Sequence, residues 1–459
     1  MGKAWFLRAL MLATALLLPA RVAAEEVQAF SVEEARFMGM AAIEAGRPDV
    51  AADIAVQMLR RDPDDAFARF LLARAHLEAG HAPEAGAEAR LAYRASGSAE
   101  QRHQSARLVA QAAWNEGHLG VAQRWLRRAA IAAPAPASRA DRVRELAAVR
   151  AANPLDVTLS FAINPSDNVN DGSSSAFNVI EGVPVVGTLS ADGQALDGVV
   201  AQLRTGVSYR FGGAGRTTVG ATLDWRRVEL SRSAKARVPD IDPRSYDSGR
   251  VEASLGRVWQ PQGAPWQAEA GLAAGVQIDA EALRYRYLRA DGALMRGIGD
   301  STGVDLGFGI ERRSTQAGQT DPEWVGSLSL GLRRSLPGED LLTTRVYVSH
   351  TETPMLGRSS QTWGVEVGYA RARPIGPAML SLQAGYGETD FPGYRVGFIV
   401  VPGGRQDRTL SAGATLTFPG LSVQGFSPRL SITRSSTNSN VSRFETRKTG
   451  LTLGLTASF

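Results

Sequence analysis

From Leu155 to the C terminus, apolar residues alternate with polar or small ones in segment after segment, and turn residues separate the segments. The last nine residues show the pattern at its plainest. Leu451, Leu453, Leu455, Ala457 and Phe459 fall on one face of an extended strand, and Thr452, Gly454, Thr456 and Ser458 fall on the other. One face suits lipid and the other a wet lumen, which is how a transmembrane β-barrel strand reads. Before Leu155 the period changes. From Val32 to about Arg150 the chain is rich in Ala, Arg, Glu and Leu, with apolar residues at helical spacing.

The helical part repeats. Gly46 and Gly80 lie 34 positions apart, the tetratricopeptide period, and follow the amphipathic segments Ala35 to Ala45 and Phe67 to Ala79. Second helices follow these turns, with Asp49 and Pro83 suited to a helix start, and Asp62, Pro63 and Asp64 restart the next pair. A third pair spans Ser105 to Trp114 and Val121 to Ile131 around Gly117, and a closing helix runs from Ser138 to Arg150. Pro134 and Pro136 make a short break, and Asn153-Pro154 ends the region. Such repeats stack and present a concave face to peptides or partner proteins, or serve as a plain helical spacer. Trp114 and Trp125 either line that face or fill gaps between alanine-rich helices.

Strands counted backward from Phe459 test the barrel, because one with both termini on the same side needs an even number and alternating short and long connections. In chain order the expected strands are 155–163, 199–211, 217–229, 248–258, 267–278, 283–295, 303–313, 324–334, 342–351, 362–372, 378–389, 407–417, 426–434 and 442–459. The total is fourteen. Segment 283–295 is included because parity requires it. Inner turns fall at 212–215, 259–265, 298–301, 336–339, 373–377 and 418–421; the outer loops include 164–196, 231–246, 314–322, 391–405 and 435–440. The predicted fold is therefore α plus transmembrane β: tetratricopeptide-like helices followed by a 14-stranded antiparallel outer-membrane barrel.

Trp225, Trp259, Trp266, Trp324, Tyr347, Trp363 and Tyr386 lie near strand ends, as interfacial girdles do, or else face the lumen. Arg204, Arg226, Arg250, Arg284, Arg312 and Arg333 are costly on a lipid face and should point inward. There they pair with Asp224, Asp305 or Glu366, or offer positive charge to acidic segments in the lumen.

The N terminus sets the compartment. Lys3 and Arg8 precede an apolar run from Ala9 to Ala20 and the small-residue site Val22-Ala23-Ala24, a secretory signal peptide cut after Ala24. The expected domains are 1–24 signal peptide, 25–152 periplasmic repeats and 153–459 barrel. No run reaches about 18 apolar residues, so a membrane is crossed by strands. The chain has no cysteine, which excludes disulfides, thiolate chemistry and a lipidated N-terminal Cys. A net charge of +5 gives nucleic-acid binding no support. Four of the five histidines, His76, His81, His103 and His118, sit in the helical part without metal-ligand spacing, and His350 is alone in the barrel. No Gly-x-Ser-x-Gly elbow or phosphate loop occurs, so no enzyme, cofactor or metal is expected. Asn168, Asn170, Asn438 and Asn440 read as loop residues that stabilise turns through local side-chain hydrogen bonds.

Two motifs bear on family. The first strand runs into Ser166-Asp167-Asn168-Val169-Asn170, and the last hairpin carries Ser439-Asn440-Val441-Ser442-Arg443-Phe444. The chain resembles the surface lipoprotein assembly modifier family, which places tetratricopeptide-like repeats before a fourteen-strand barrel. That family shows a Ser-Asn-Ile-Asn-like motif after strand one and a Ser-Asn-Ile-x-x-Tyr hairpin near the end; here Phe444 stands for Tyr. The resemblance implies an outer-membrane translocator: repeats receive a client lipoprotein, and the barrel offers a polar path or an openable seam between first and last strands. Glycine-rich strands would weaken that seam. Partners would be the client, outer-membrane lipid and the barrel-assembly machinery, for which terminal Phe459 resembles the recognition signal. The competing readings are polysaccharide export and a porin with a periplasmic anchor.

Overall fold

The computed structural model describes residues 30–132, 145, 148–184, 186–211, 215–315, 321–421 and 426–458. The expected signal peptide, the Pro134 and Pro136 break, most of the closing helix and Phe459 lie outside these residues. The chain divides into two compact units, one ending at Ala112 and the other starting at Ala113.

In the first unit, α1 (Val32–Glu44), α2 (Pro48–Arg61), α3 (Ala66–Glu78) and α4 (Ala82–Ala95) form two helical hairpins, and α5 (Ala99–Asn115) begins a third. Gly46 and Gly80 adopt φ of 68° and 82°. The next residue then donates its N–H to a carbonyl five positions back, Arg47 to Ala42 and His81 to His76, each at 2.8 Å. This helix-ending motif needs the left-handed conformation that glycine adopts without a Cβ clash. Gly117 closes the third pair in the same way, with His118 N–H on Ala113 O at 2.8 Å. Ser31 starts α1 with a capping box: its N–H donates to Glu34 and its Oγ accepts the Glu34 N–H. These bonds hold the Glu34 carboxyl below its ordinary range, that from the Ser31 backbone foremost.

The cap of α3 is Asp65, one residue beyond the expected Asp62-Pro63-Asp64 start. Its carboxylate accepts from Phe67 N at 2.8 Å and Ala68 N at 3.2 Å, while Asp62 instead closes α2. Ile43, Ala51, Ala55, Leu71, Leu72 and Ala75 form the core. Small residues allow close approach: a Cβ on Gly39 would stand 2.2 Å from Leu71 Cδ2.

The second unit holds α6 (Leu119–Ala132) and fourteen long strands. In chain order these are β1 (Leu155–Ser166), β2 (Gly198–Phe211), β3 (Gly215–Leu230), β4 (Ser248–Trp259), β5 (Trp266–Asp279), β6 (Ala282–Ile298) and β7 (Thr302–Thr315). There follow β8 (Glu323–Ser335), β9 (Leu341–Glu352), β10 (Ser360–Ala370), β11 (Met379–Phe391), β12 (Arg405–Thr417), β13 (Ser427–Ser439) and β14 (Thr446–Ser458). Each pairs antiparallel with its chain neighbours, and β1 pairs with β14 to close the barrel. Strand β6, expected only from parity, is a full member with partners on both sides.

Cross-strand register defines the two faces. Phe161 stands opposite Leu203 and Leu455, Leu203 opposite Trp225, and Ile432 opposite Leu451. This row continues through Leu288, Phe308, Leu330, Val348 and Leu410, all large and exposed. A continuous apolar outer belt over a polar interior makes this an outer-membrane-type barrel. One end carries tight connections and the start of β1 (the turn end). The other carries most of the long connections (the loop end).

Trp259 and Trp266 lie on the outer face near the turn end, and Trp225, Trp324, Trp363 and Tyr386 on the outer face toward the loop end, as girdle residues do. Tyr347 does not. Val346 and Val348 take the outer row, so Tyr347 faces inward, its Oη 2.5 Å from where a Gly364 Cβ would be. Arg204, Arg226, Arg250 and Arg333 occupy the inner face, whereas Arg312 lies in the outer row between Leu288 and Trp324, three residues from the end of β7. Arg284 sits at the register shift after the tight β5–β6 turn, bound to Asp279 at 2.5 Å. Of the expected acidic partners Asp224 pairs, with Arg204.

The last hairpin differs from expectation. Strand β13 runs on to Ser439, and Ser442–Phe444 is a 3-10 turn rather than the start of β14, so the loop is 440–445. Asn438 accordingly lies in a strand, opposite Arg408. Two expected loops contain small hairpins, Phe177–Val179 with Val186–Thr188 and Arg395–Val396 with Ile399–Val400. A third contains a short helix, Arg232–Arg237.

Candidate functional site

The closing seam is uneven. β1 pairs with β2 at every position from Leu155 to Ser166, but with β14 only from Thr158 to Ile163 and again at Ser166, opposite Gly450. Pro165 stands in the gap and has no N–H to give. The 31-residue connection 167–197 covers the loop end of this seam and is fastened to β14 and the last hairpin.

The fasteners are the motif residues. Asp167 Oδ1 accepts the Thr449 N–H at 2.7 Å. Asn168, fully buried, donates through Nδ2 to Gly172 O at 2.9 Å and Arg447 O at 3.2 Å, and accepts the Gly172 N–H at 2.9 Å. Ser166 Oγ accepts the Asn168 N–H, and Asn170 ties the connection to itself through Asp192 O, Gln194 O and the Leu196 N–H. On the other side, Ser439 Oγ accepts the Val441 N–H, and Asn440 bridges Gln406 N and Gly404 O, both at 2.8 Å. The Ser442 hydroxyl donates to Phe177 O and accepts from Val179 N, each at 2.7 Å.

Phe444 is held by aromatic and cationic contacts. The Arg405 guanidinium lies 3.6 Å over its ring and 3.8 Å over Phe391, Tyr394 meets it edge-on at 5.5 Å, and Asp407 clamps Arg405 through two oxygens. The phenyl ring supplies these contacts without a hydroxyl. Two motifs about 270 residues apart thus belong to one clasp, joined through the connection 167–197 and β14: Asn168 reaches Arg447 and Asn440 reaches Gly404 and Gln406, while Asn170 and the Asn168–Gly172 bonds brace the connection itself. Reasoning from sequence missed Arg405 and Ser442 as its partners.

Two loop-end connections fold over the inner face of β2 and β3. Val200, Val228 and Leu230 belong to inner-face rows, yet they are buried against Val169, Leu196, Ala234 and Val238 from the two connections 167–197 and 231–247. This apolar cap stands over a cavity of about 560 Å³. Arg226 joins the two: Nη1 donates to Tyr246 O at 2.6 Å and Nη2 to Val169 O. Farther along the inner wall, Arg250, Arg289 and Arg313 interleave with Glu252, Glu311 and Glu323, and Tyr287 Oη links Arg250 to Glu252. Each carboxylate there meets at least one guanidinium, which makes the network self-satisfied.

At the turn end, buried Asn153 accepts the Leu155 N–H that begins β1 and donates to Gln123 of α6 at 3.0 Å. Arg210 of β2 donates to Asn153 O and Arg150 O. Burial, then the neighbouring Arg150, pushes Arg127 of the same helix down to about 10. Trp114 is exposed at 40%, and Trp125 is half-buried beneath Arg128, whose guanidinium lies 4.5 Å over its ring. Among the described residues no group of three or more His, Asp or Glu could hold a metal ion. His350 projects from the outer row.

Residues 42–95 match the tetratricopeptide repeat family. No curated protein sequence matches the chain. Among solved structures, the chain is similar to the type III secretion translocator chaperone SycD of Yersinia enterocolitica, at 14% identity and TM-score 0.25, over 28% of this chain and 90% of that one. It is also similar to a loop-deletion mutant of OmpT, an outer membrane protein of Vibrio cholerae, at 8% identity and TM-score 0.36, over 66% and 99%. An outer membrane channel from Pseudomonas putida F1 gives 12% identity and TM-score 0.35, over 67% and 96%.

Proposed function

We propose that this protein is an outer-membrane translocator that moves or displays lipoproteins on the cell surface, with the turn end toward the periplasm and the helical repeats receiving the client. The observation that carries this reading is the clasp. The connection that opens with Ser166–Asn170 is bonded through that motif to β14 and, farther along at Ser173, Phe177 and Val179, to Ser442 of the second motif, all at the loop end of the β1–β14 seam, where a departing client would have to pass. The tetratricopeptide match supplies a protein-binding element upstream. An apolar cap over part of the mouth fits a gated path better than an open porin. No covalent chemistry is required.

Deleting residues 32–112 removes the first unit and leaves the Gln123–Asn153 junction in place. We expect that variant to insert, judged by heat-modifiable migration, and to lose surface display of a co-expressed client lipoprotein, judged by protease accessibility on whole cells. Equal display with and without the repeats would sink the proposal.

A further inference from the structure

We infer that the cavity beneath the cap receives the carboxylates of an acidic polypeptide segment, and that Arg226 couples its occupation to the cap. The inference rests on the translocation reading, since a polypeptide must enter the lumen. The cavity wall carries five arginines, Arg204, Arg226, Arg250, Arg289 and Arg429, against two carboxylates, Asp224 and Glu252. Asp224 answers Arg204, while Glu252 and Glu311 answer Arg250 and Arg289. Arg226 and Arg429 have no ion-pair partner among the described residues. Cations facing a cavity with low-dielectric walls focus a positive potential that favours an anionic occupant. A volume of about 560 Å³ suits an extended segment of a few residues and excludes a folded domain.

Polypeptide rather than sugar follows from the lining. Its only lining aromatic among the described residues is Trp225, which belongs to the outer row, and the ring of Tyr287 on the wall beside it is buried beneath Arg250, so no open stacking platform faces the cavity. Gln202, Gln277, Thr222 and Ser160 offer neutral hydrogen-bonding groups beside the cations.

Arg226 gives the site a consequence. Its guanidinium gives two of its five N–H donors to neutral carbonyls, Val169 O and Tyr246 O, one in each capping connection. A carboxylate adds charge attraction and a two-pronged fit that a carbonyl lacks. A carboxylate in the cavity engages the donors that remain and draws the guanidinium toward itself, which loosens its hold on both connections of the cap.

The test uses the full-length protein in detergent, titrated calorimetrically with heptaglutamate. Binding is expected at low ionic strength, fading as salt is raised, with heptalysine inert. Arg429→Glu should weaken it about tenfold, and Arg429→Gln, the variant to use if charge reversal impairs assembly, should move it in the same direction. Bound heptaglutamate should speed amide exchange in residues 167–197. Absence of binding, binding indifferent to both Arg429 variants, equal binding of heptalysine, or tighter capture of tripolyphosphate overturns the site. Unchanged exchange overturns the coupling. Because binding is read on purified protein, a failure here is separable from a failure of client display in cells.

Discussion

Truncating Asn168 to alanine removes three hydrogen bonds from a side chain with no exposed surface: those to Gly172 O, to Arg447 O and from Gly172 N. A buried donor or acceptor left without a partner costs about 1–3 kcal/mol. The Gly172 N–H bears the full cost, and the two carbonyls, each with a second lone pair, bear less. The sum is about 3 kcal/mol of local stability, which at 1.36 kcal/mol per decade is a shift of roughly a hundredfold in the opening equilibrium. The clasp lies outside the strand ladder, so that loss should stay local. Amide exchange followed by mass spectrometry should show residues 167–197 opening about a hundredfold more often, with the strands and the heat-modifiable migration unchanged. Asn168→Asp sharpens the test, because it keeps the acceptor for Gly172 N but sets a charged oxygen against two carbonyls. It should open the connection at least as much as alanine. Exchange within about twofold of the parent for either variant would refute the assignment of Asn168 as a two-sided bridge.

Other measurements probe other parts of the molecule. Arg405→Lys keeps the charge but loses the two-oxygen clamp on Asp407 and the planar contact with Phe444, and should cost the last-hairpin loop about 1–2 kcal/mol in local exchange. Ala280 and Glu281 form the β5–β6 turn with φ of 49° and 63°, so Glu281→Gly should stabilise the barrel by about 1 kcal/mol in denaturant-induced unfolding; a destabilised variant would contradict this. Asp340 accepts hydrogen bonds from Tyr369 Oη at 2.5 Å and Ala372 N at 2.9 Å, and these hold its carboxyl below the ordinary range, Tyr369 foremost. A depressed carboxyl stabilises the fold above its unfolded-state value and loses that contribution as pH falls through the folded-state value. Amide exchange at residues 371–378 should thus accelerate on acidification. Tyr369→Phe should move that onset to higher pH, as titrated by carboxyl NMR.

Much of the barrel was legible because its strands obey a period of two that local composition displays directly. The fourteen strands fell where alternation placed them apart from the last hairpin, whose loop is shifted to 440–445, and they include β6, whose arginines and tyrosines obscured it. Face assignment was legible too where it was applied: Val346 and Val348 flank Tyr347, so alternation alone assigns that ring to the lumen, against its grouping with the girdle. Arg312 escaped for another reason. Near a strand end the outer row leaves the hydrocarbon layer, where a long cation can reach polar groups at little cost. The clasp was illegible in principle, because Asn168 and Arg447 are neighbours only after the barrel closes. The sequence marks 166–170 as loop and places Arg447 in the last strand, and nothing in it says that the two bind each other.

The missing ladder rungs around Pro165 bear on how the barrel assembles. Two strands joined only by backbone pairing can slide, and a slip of one residue would turn every leucine of β14 toward the lumen. The Thr449 N–H on the Asp167 carboxylate and the Arg447 carbonyl on Asn168 admit a single alignment, the one that sets Ser166 opposite Gly450. A Cβ at 450 would stand 2.7 Å from Asn164 Oδ1, so the glycine lets the strands meet at that rung. The chain therefore carries its own ruler for closure: the contacts that cover the seam also fix the register of the first and last strands.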